Sequence, residues 1–411
     1  MAIATLLALI LLFKRLEAGP VPSPASDRPC VNFMLPVPAT AQNAEYDIIH
    51  VNDNINATAY AVDLDTWSFN ATSRVLRNIT VSDTFDISVQ LCVPPNGIKK
   101  QNLFIATHGG LFDKRYWDPA INPSEYSFVD AALAGGYSIL TYDRLGTGSS
   151  DKPDAYTIVQ APLQLEILRS ITNMARSGEL LKHTAGNADS AGTTVSATSA
   201  NTFKGSDVSL DKIIHVGHSF GSVLTTAFLA TYGNLSDAAV ITGYILNEHF
   251  AEMRKATFGL EYAPQNNMTL FGDRSSGYMV DGTLGGFQTV FFSTQADATT
   301  GIGGFDTEVL DYAFSIRQTI TTSEFLPPPV NLGAAPQFEG PLQFMLAEFD
   351  YPICRGDCNL HFDPATFQKL YPKAKDIDIY TQQGNGHALT MHRKANLGYK
   401  ATLDWLDRNG F

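Results

Sequence analysis

The sequence predicts an α/β fold, in which helices cover both faces of a mostly parallel sheet. From residue 102 onward, short apolar runs end in glycine-rich turns and are followed by helical segments, the pattern of strands in a parallel sheet. Before that point, residues 45–93 alternate apolar and polar positions, most clearly over 87–93, as antiparallel strands do. The strands predicted in the alternating part are 103–107, 137–142, 213–217, 241–246, 342–347 and 377–380.

Composition divides the chain into several parts. We predict a signal peptide over 1–19, a linker with three prolines over 20–44, and a core in two pieces, 45–248 and 341–411. Residues 249–340, rich in aromatics, separate two predicted strands and are too many for a bare loop, so they predict an inserted cap or lid subdomain. The serine- and threonine-rich stretch 183–206 predicts an exposed loop.

The N-terminus resembles a secretory signal. Residues 1–13 are almost wholly apolar, but they are fewer than the roughly 20 that span a bilayer. The small residues Ala18 and Gly19 follow as a possible cleavage site. Lys14 and Arg15 follow the apolar run instead of preceding it, which leaves a short membrane anchor as the alternative.

Cysteines and glycosylation motifs agree with secretion. An even, low cysteine count behind a signal segment predicts two disulfides, Cys30 with Cys92 and Cys354 with Cys358. Four reduced thiols are the alternative, and zinc is disfavoured because no His or Cys pair accompanies the closely spaced cysteines. The Asn-x-Ser/Thr motifs place five glycosylation acceptors at Asn56, Asn70, Asn78, Asn234 and Asn267.

Charge and composition exclude some classes of partner. The net charge is −13, and Lys and Arg are scattered singly, so the footprint of a nucleic-acid-binding protein is absent. The acidic balance also disfavours anionic membrane surfaces, and we expect no stable membrane insertion. No metal or organic cofactor is implied, and the sequence leaves the oligomeric state open.

The motif Gly217-His218-Ser219-Phe220-Gly221 carries the strongest chemical signal. It follows the apolar strand 212–216 and opens a helical run over 223–232. A sharp strand-to-helix turn holds a serine in a strained conformation with its Oγ exposed above the sheet, and the glycines avoid collisions across that turn. The sequence therefore predicts Ser219 as a nucleophile.

A second motif, His108-Gly109-Gly110-Leu111, follows the strand 103–107. Small residues let the backbone approach a substrate carbonyl. We predict that the N–H of Gly110, or second to it that of Leu111, pairs with the N–H of Phe220 as an oxyanion hole. An ordinary glycine turn after a strand is the alternative.

The turn after strand 137–142 carries Asp143 and Arg144. Local hydrogen bonds from these side chains are expected to hold the turn, which is a scaffold role. A phosphate-binding role for Gly146 and Gly148 fails, because the third glycine and the helix start are missing.

The base is expected late in the chain. His387 lies in a glycine-rich loop between the last predicted strand and the last helix, where an imidazole can take the Ser219 proton. A histidine that only caps the helix is the alternative, and His392 and His361 are rivals. Asp350 follows strand 342–347 and is placed to orient the imidazole. Its alternatives are Asp357 and Glu348.

Together these motifs resemble the α/β-hydrolase superfamily over residues 80–411. The resemblance implies an eight-stranded sheet, a Ser219–Asp350–His387 triad, oxyanion donors at Gly110 and Phe220, and a cap over 249–340. Dehalogenases and epoxide hydrolases of this superfamily have aspartate where Ser219 stands, which argues against both activities. In lipases with a His-Gly-Gly-Gly motif a third glycine stands where this chain has Leu111.

The expected activity is cleavage of an apolar carboxylic ester or lactone through an acyl-enzyme intermediate. The alternatives on the same triad are amide or carbon–carbon bond hydrolysis, or tailoring of a secondary metabolite. A secreted binding protein without turnover is an alternative of another class.

Overall fold

The computed structural model describes residues 28–95, 101–186, 210, 212–245, 255–294, 304–327, 329–360 and 364–411. The predicted signal peptide, the rival His361 and most of the predicted loop 183–206 lie outside these ranges. The first residues of that loop, 183–186, belong to a helix instead.

Eight strands form the central sheet, in the order β1-β2-β4-β3-β5-β6-β10-β11. β2 is antiparallel to β1 and to β4, and all other neighbours are parallel, which confirms the predicted mostly parallel sheet. Strands β7 to β9 form a separate antiparallel sheet. The bounds are β1 Cys30–Tyr46, β2 Val75–Cys92, β3 Asn102–Thr107, β4 Ser138–Tyr142, β5 Lys212–His218, β6 Ala238–Thr242, β7 Leu260–Tyr262, β8 Tyr278–Asp281, β9 Ile320–Thr321, β10 Leu342–Ala347 and β11 Ile377–Gln382.

Helices cover both faces of this sheet. The helices are α1 Asn54–Leu64, α2 Pro123–Tyr126, α3 Phe128–Ala134, α4 Ala161–Arg176, α5 Glu179–Gly186, α6 Phe220–Tyr232, α7 Ala263–Asn266, α8 Met268–Phe271, α9 Leu284–Phe291, α10 Thr307–Ser315, α11 Thr322–Phe325, α12 Tyr351–Cys354, α13 Pro364–Leu370 and α14 Ala395–Arg408. α3 and α14 pack on the face of β3 that presents Phe104 and Ala106. α4 and α6 pack on the opposite face, with Leu103 and Ile105. Since both faces are buried, inner strands such as β3 are buried along their whole length and are mostly apolar.

The long edge strand β1 differs from the prediction, which assigned 20–44 to a linker. Its residues alternate between buried and exposed along most of its length, so one face packs on the core. Pro36 and Pro38 obscured this pattern in the sequence. Both prolines are on the exposed face of a strand at the edge of the sheet. There the missing N–H does not interrupt the hydrogen bonds between the inner strands.

The predicted insertion has its own secondary structure. Its described residues form β7, β8 and β9 with helices α7 to α11. Most of its predicted aromatic residues are buried and pack on one another, as Phe287 does on Phe291 and Phe314. The strand before it ends at Thr242, earlier than the predicted 246.

The cysteine sulfurs lie at bonding distance in the two predicted pairs, Cys30 with Cys92 and Cys354 with Cys358. Cys30 stands opposite Cys92 in the register of β1 and β2. No helix within the described ranges has the length and apolar character needed to cross a membrane. Of the predicted glycosylation acceptors, Asn70, Asn78 and Asn234 are exposed, while Asn56 and Asn267 are half-buried.

We expect the two disulfides to contribute unequally to stability. Cys30–Cys92 closes a loop of 62 residues and Cys354–Cys358 one of 4. Because a longer loop loses more unfolded-state entropy, removing the first with paired Cys→Ala changes should lower the free energy of unfolding by about 4 kcal/mol, and removing the second by about 2 kcal/mol. Urea unfolding of both double variants measures this. Equal losses would contradict the chain-entropy explanation.

Candidate active site

Ser219 occupies a tight turn between β5 and α6. Its backbone has φ 52° and ψ −117°, outside the regions that non-glycine residues prefer. This is the strained conformation that the sequence predicts for a nucleophile. The Ser219 N–H donates to the carbonyl of Thr242 at the end of β6, which ties the turn to the neighbouring strand.

Close backbone approach explains the two glycines that flank the turn. A Cβ on Gly221 would lie 2.2 Å from the carbonyl oxygen of Thr107, and a Cβ on Gly217 would lie 2.6 Å from the carbonyl oxygen of Gly221. Neither distance is physically possible, and backbone atoms at the end of β3 cannot move aside without breaking the sheet. Glycine is therefore required at both positions.

The structure brings Ser219, His387 and Asp350 together. His387 Nε2 is 2.8 Å from Ser219 Oγ, and its Nδ1 is 2.7 Å from Asp350 Oδ2. His387 is 2% exposed and Asp350 is fully buried. Asp350 caps α12, where its other oxygen accepts from the N–H of Ile353, so its carboxylate is held by two elements at once.

The other candidates for the acid and the base have different hydrogen-bond partners. Glu348 accepts from the N–H of Gly384 and from the Asn359 amide, and Asp357 accepts from the N–H of Asn359. His392 precedes α14; its Nδ1–H donates to the carbonyl of Ala388, and its ring stacks on that of Phe292.

The predicted oxyanion residues border the same space. Gly110, Leu111 and Phe220 line one cavity with Ser219 and His387. Leu111 has φ 63°, the left-handed conformation that favours glycine, where the resemblance places a third glycine in some lipases. Among the described residues, none accepts a hydrogen bond from the backbone N–H of Gly110 or Phe220.

Two buried histidines beside the site are kept neutral. Burial lowers the pKa of His218 well below its usual range, and the nearby His387 and His108 act in the same direction. Burial and then the charge of Arg144 similarly lower the pKa of His108. The bonds of His108 fit the neutral form, since its Nδ1–H donates to the Gly109 carbonyl and its Nε2 accepts from the Arg144 N–H.

Arg144 has a wider role than the local turn contact that the sequence predicts. Its guanidinium is 1% exposed and donates to Gln164 and Glu324, and also to the Gly109 carbonyl at 3.3 Å. The same group lies over the ring of Phe220, 4.7 Å from its centroid. Glu324 belongs to α11 of the insertion, so one side chain links the insertion, the His108–Leu111 loop and the turn that holds Ser219.

The site opens into a cavity of about 610 Å³, a size typical of small-molecule pockets. Its walls are largely apolar, and aromatic rings from the insertion contribute. Of the insertion's predicted aromatic residues, Phe258 and Phe291 line the cavity, and Phe325 joins them. Phe250 belongs to the same predicted insertion and lies outside the described residues. Within the described ranges, no group of three or more His, Cys, Asp or Glu side chains is arranged to hold a metal ion.

The buried ion pair predicts a large loss of stability when its charge balance is broken. Glu324→Gln leaves the Arg144 guanidinium without a counter-ion, and we expect the free energy of unfolding to fall by about 3–5 kcal/mol. The control is Asp404→Asn, which removes a carboxylate from an exposed pair with Lys400 and should cost less than about 1 kcal/mol. Urea unfolding measures both, and similar losses would contradict the assigned role of Glu324.

Comparison with known proteins identifies the family. Residues 103–395 match the model of the alpha/beta hydrolase family. The solved structures with similar folds include a thermophilic esterase from Thermogutta terrifontis, with 12% identity, a TM-score of 0.47, and 79% of this chain and 95% of that chain covered. They also include bromoperoxidase from Bacillus anthracis, with 15% identity, a TM-score of 0.44, and 79% of this chain and 96% of that chain covered. A third is a soluble variant of monoglyceride lipase from Saccharomyces cerevisiae, with 12% identity, a TM-score of 0.44, and 79% of this chain and 92% of that chain covered. No curated protein sequence matches the chain. The family match covers most of the chain, which therefore belongs to the alpha/beta hydrolase family.

Proposed function

We propose that this chain is a secreted serine hydrolase that cleaves a carboxylic ester or lactone through an acyl-enzyme intermediate. The observation that carries the proposal is the continuous hydrogen-bonded row from Ser219 through His387 to Asp350. The row ends at the wall of a cavity with aromatic residues, which suits an apolar acyl or ring system.

The hydrogen bonds support one arrangement of the protons. An ionised carboxylate can only accept, so the His387 Nδ1–H donates to Asp350 and leaves the Nε2 lone pair free to accept the Ser219 hydroxyl proton. When Ser219 Oγ attacks the substrate carbonyl carbon, that proton moves to Nε2. The imidazolium that forms is stabilised by the buried carboxylate.

The negative charge that develops on the substrate carbonyl oxygen requires hydrogen-bond donors to stabilise it. The N–H of Phe220 is at the N-terminal end of α6, where the helix dipole also favours a negative charge. Together with the Gly110 N–H it supplies the oxyanion contacts. His387 then gives its proton to the leaving alcohol, and a water molecule, deprotonated by the same imidazole, releases the acid from Ser219.

The proposed secretion is supported by the cysteine pairs and by the glycosylation motifs. The two cysteine pairs suit an oxidising compartment, and three of the five glycosylation motifs have an exposed asparagine. We propose that residues 1–19 direct the chain into the secretory pathway.

Replacing the nucleophile tests the mechanism. Ser219→Ala removes the attacking oxygen, and we expect kcat/KM on p-nitrophenyl esters to fall by about a thousandfold or more. The matched control is Ser315→Ala, whose exposed hydroxyl on α10 donates to the Tyr312 carbonyl and takes no part in the proposed reaction. That variant should keep most of the activity.

Two results would overturn the proposal. Turnover that survives in Ser219→Ala would remove Ser219 from its assigned role. A wild-type protein that neither hydrolyses esters nor reacts with a fluorophosphonate probe would favour a binding protein without turnover.

Glycosylation tests the secretory route. After expression of the full chain in a eukaryotic secretory host, Asn78→Gln and Thr80→Ala should each remove the mass of one glycan, because both destroy the motif at an exposed position. Thr80→Ser keeps the motif and should keep the mass. A wild-type mass that does not change on treatment with peptide N-glycosidase would contradict glycosylation.

A further inference from the structure

We propose that Lys255 forms an anion subsite in the active-site cavity and that the substrate of this hydrolase carries a carboxylate away from the bond that is cleaved. The inference rests on the proposed ester hydrolysis and narrows its substrate class. Nothing in the sequence motifs assigns a role to Lys255.

The position of Lys255 is the first observation. It begins a 3₁₀ helix, Lys255–Phe258, in the described part of the insertion, and it lines the same cavity as Ser219 and His387. Its ammonium lies 5.1 Å from the ring centroid of Phe325, another residue of the cavity wall. The lysine is half-buried, so its charge is drawn back from bulk water.

The other charged side chains of the cavity are already engaged. Glu324 is paired with Arg144. Asp65, at the end of α1, accepts from the backbone N–H groups of Lys255 and Ala256 at 2.7 and 2.9 Å, and Arg355 has contacts of its own. In the described part of the chain, no carboxylate forms an ion pair with the Lys255 ammonium and no oxygen accepts from it.

An ammonium in this setting favours an anion as its partner. Burial lowers the pKa of Lys255 to about 8, and the nearby Asp65 acts in the opposite direction, so the group is still cationic at neutral pH. Within the described residues, the N–H groups of the Lys255 ammonium have no hydrogen-bond acceptor. A charge-assisted hydrogen bond to a carboxylate would replace the hydration that the ammonium loses on burial. One cation matches a singly charged carboxylate better than a doubly charged phosphate.

The experiment compares p-nitrophenyl monoesters of short dicarboxylic acids with neutral esters of the same shape, in which an isopropyl group replaces the carboxylate. The wild-type enzyme should prefer the charged ester in kcat/KM. Lys255→Met, which keeps the length of the side chain but not its charge, should lower the ratio of charged to neutral kcat/KM about tenfold or more. Lys255→Arg should restore most of the ratio.

Lys400→Met is the matched control. It removes the same charge from an exposed position on α14, a helix that contributes no residue to the cavity lining, and should leave the ratio as it is in the wild type. The ratio should also fall as the pH rises through about 8, because kcat/KM reports the free enzyme and Lys255 loses its proton there. Asp65 is the acidic group that faces the lysine, from the end of α1, where it accepts from the backbone N–H of Lys255.

Binding separates this inference from the proposed function. In Ser219→Ala, glutarate binding is measured by calorimetry with and without Lys255→Met. Binding that weakens about tenfold or more in the double variant supports the subsite even where no ester is turned over. Ester hydrolysis by the wild type with no preference for the carboxylate, or a ratio that Lys255→Met leaves unchanged, would overturn the subsite and leave the proposed function standing.

Discussion

The backbone turn at Ser219 is the constraint on which the site depends. A positive φ at a residue with a side chain is unfavourable, and it persists because the neighbouring strands determine the turn on several sides. The Thr242 carbonyl holds its N–H, and the close approach of β3 forces glycine at position 221. The strain is therefore supported by inner strands of a mostly parallel sheet, and the hydroxyl is directed at His387.

The sequence predicts the parts of the site that are encoded locally. Ser219 is predictable because its signal is a short motif with a strand before it and a helix after it. Asp350 and His387 are predictable because parallel strands end at a common edge, and each residue follows a recognisable strand. Chain order and strand ends are enough to select them, although 37 residues separate one from the other.

Long-range contacts explain what the sequence does not predict. Nothing near Arg144 indicates that its partner is Glu324, because 180 residues separate them and the pairing exists only after the insertion has folded onto the core. The sequence fails to predict β1 for a different reason. Its prolines are typical of loops, and only the pairing with β2 and the position at the edge make them acceptable in a strand.

The Arg144–Glu324 pair also explains how an insertion can affect chemistry on the core. Two apolar side chains of similar size would hold the layers together as well or better, because desolvating two charges is unfavourable. An apolar pair, however, has no preferred direction. The guanidinium is held by three acceptors and by the Phe220 ring, so α11 is tied to the His108–Leu111 loop and to the turn at Ser219. The insertion that lines the cavity is in this way linked to the Ser219 turn through one buried ion pair.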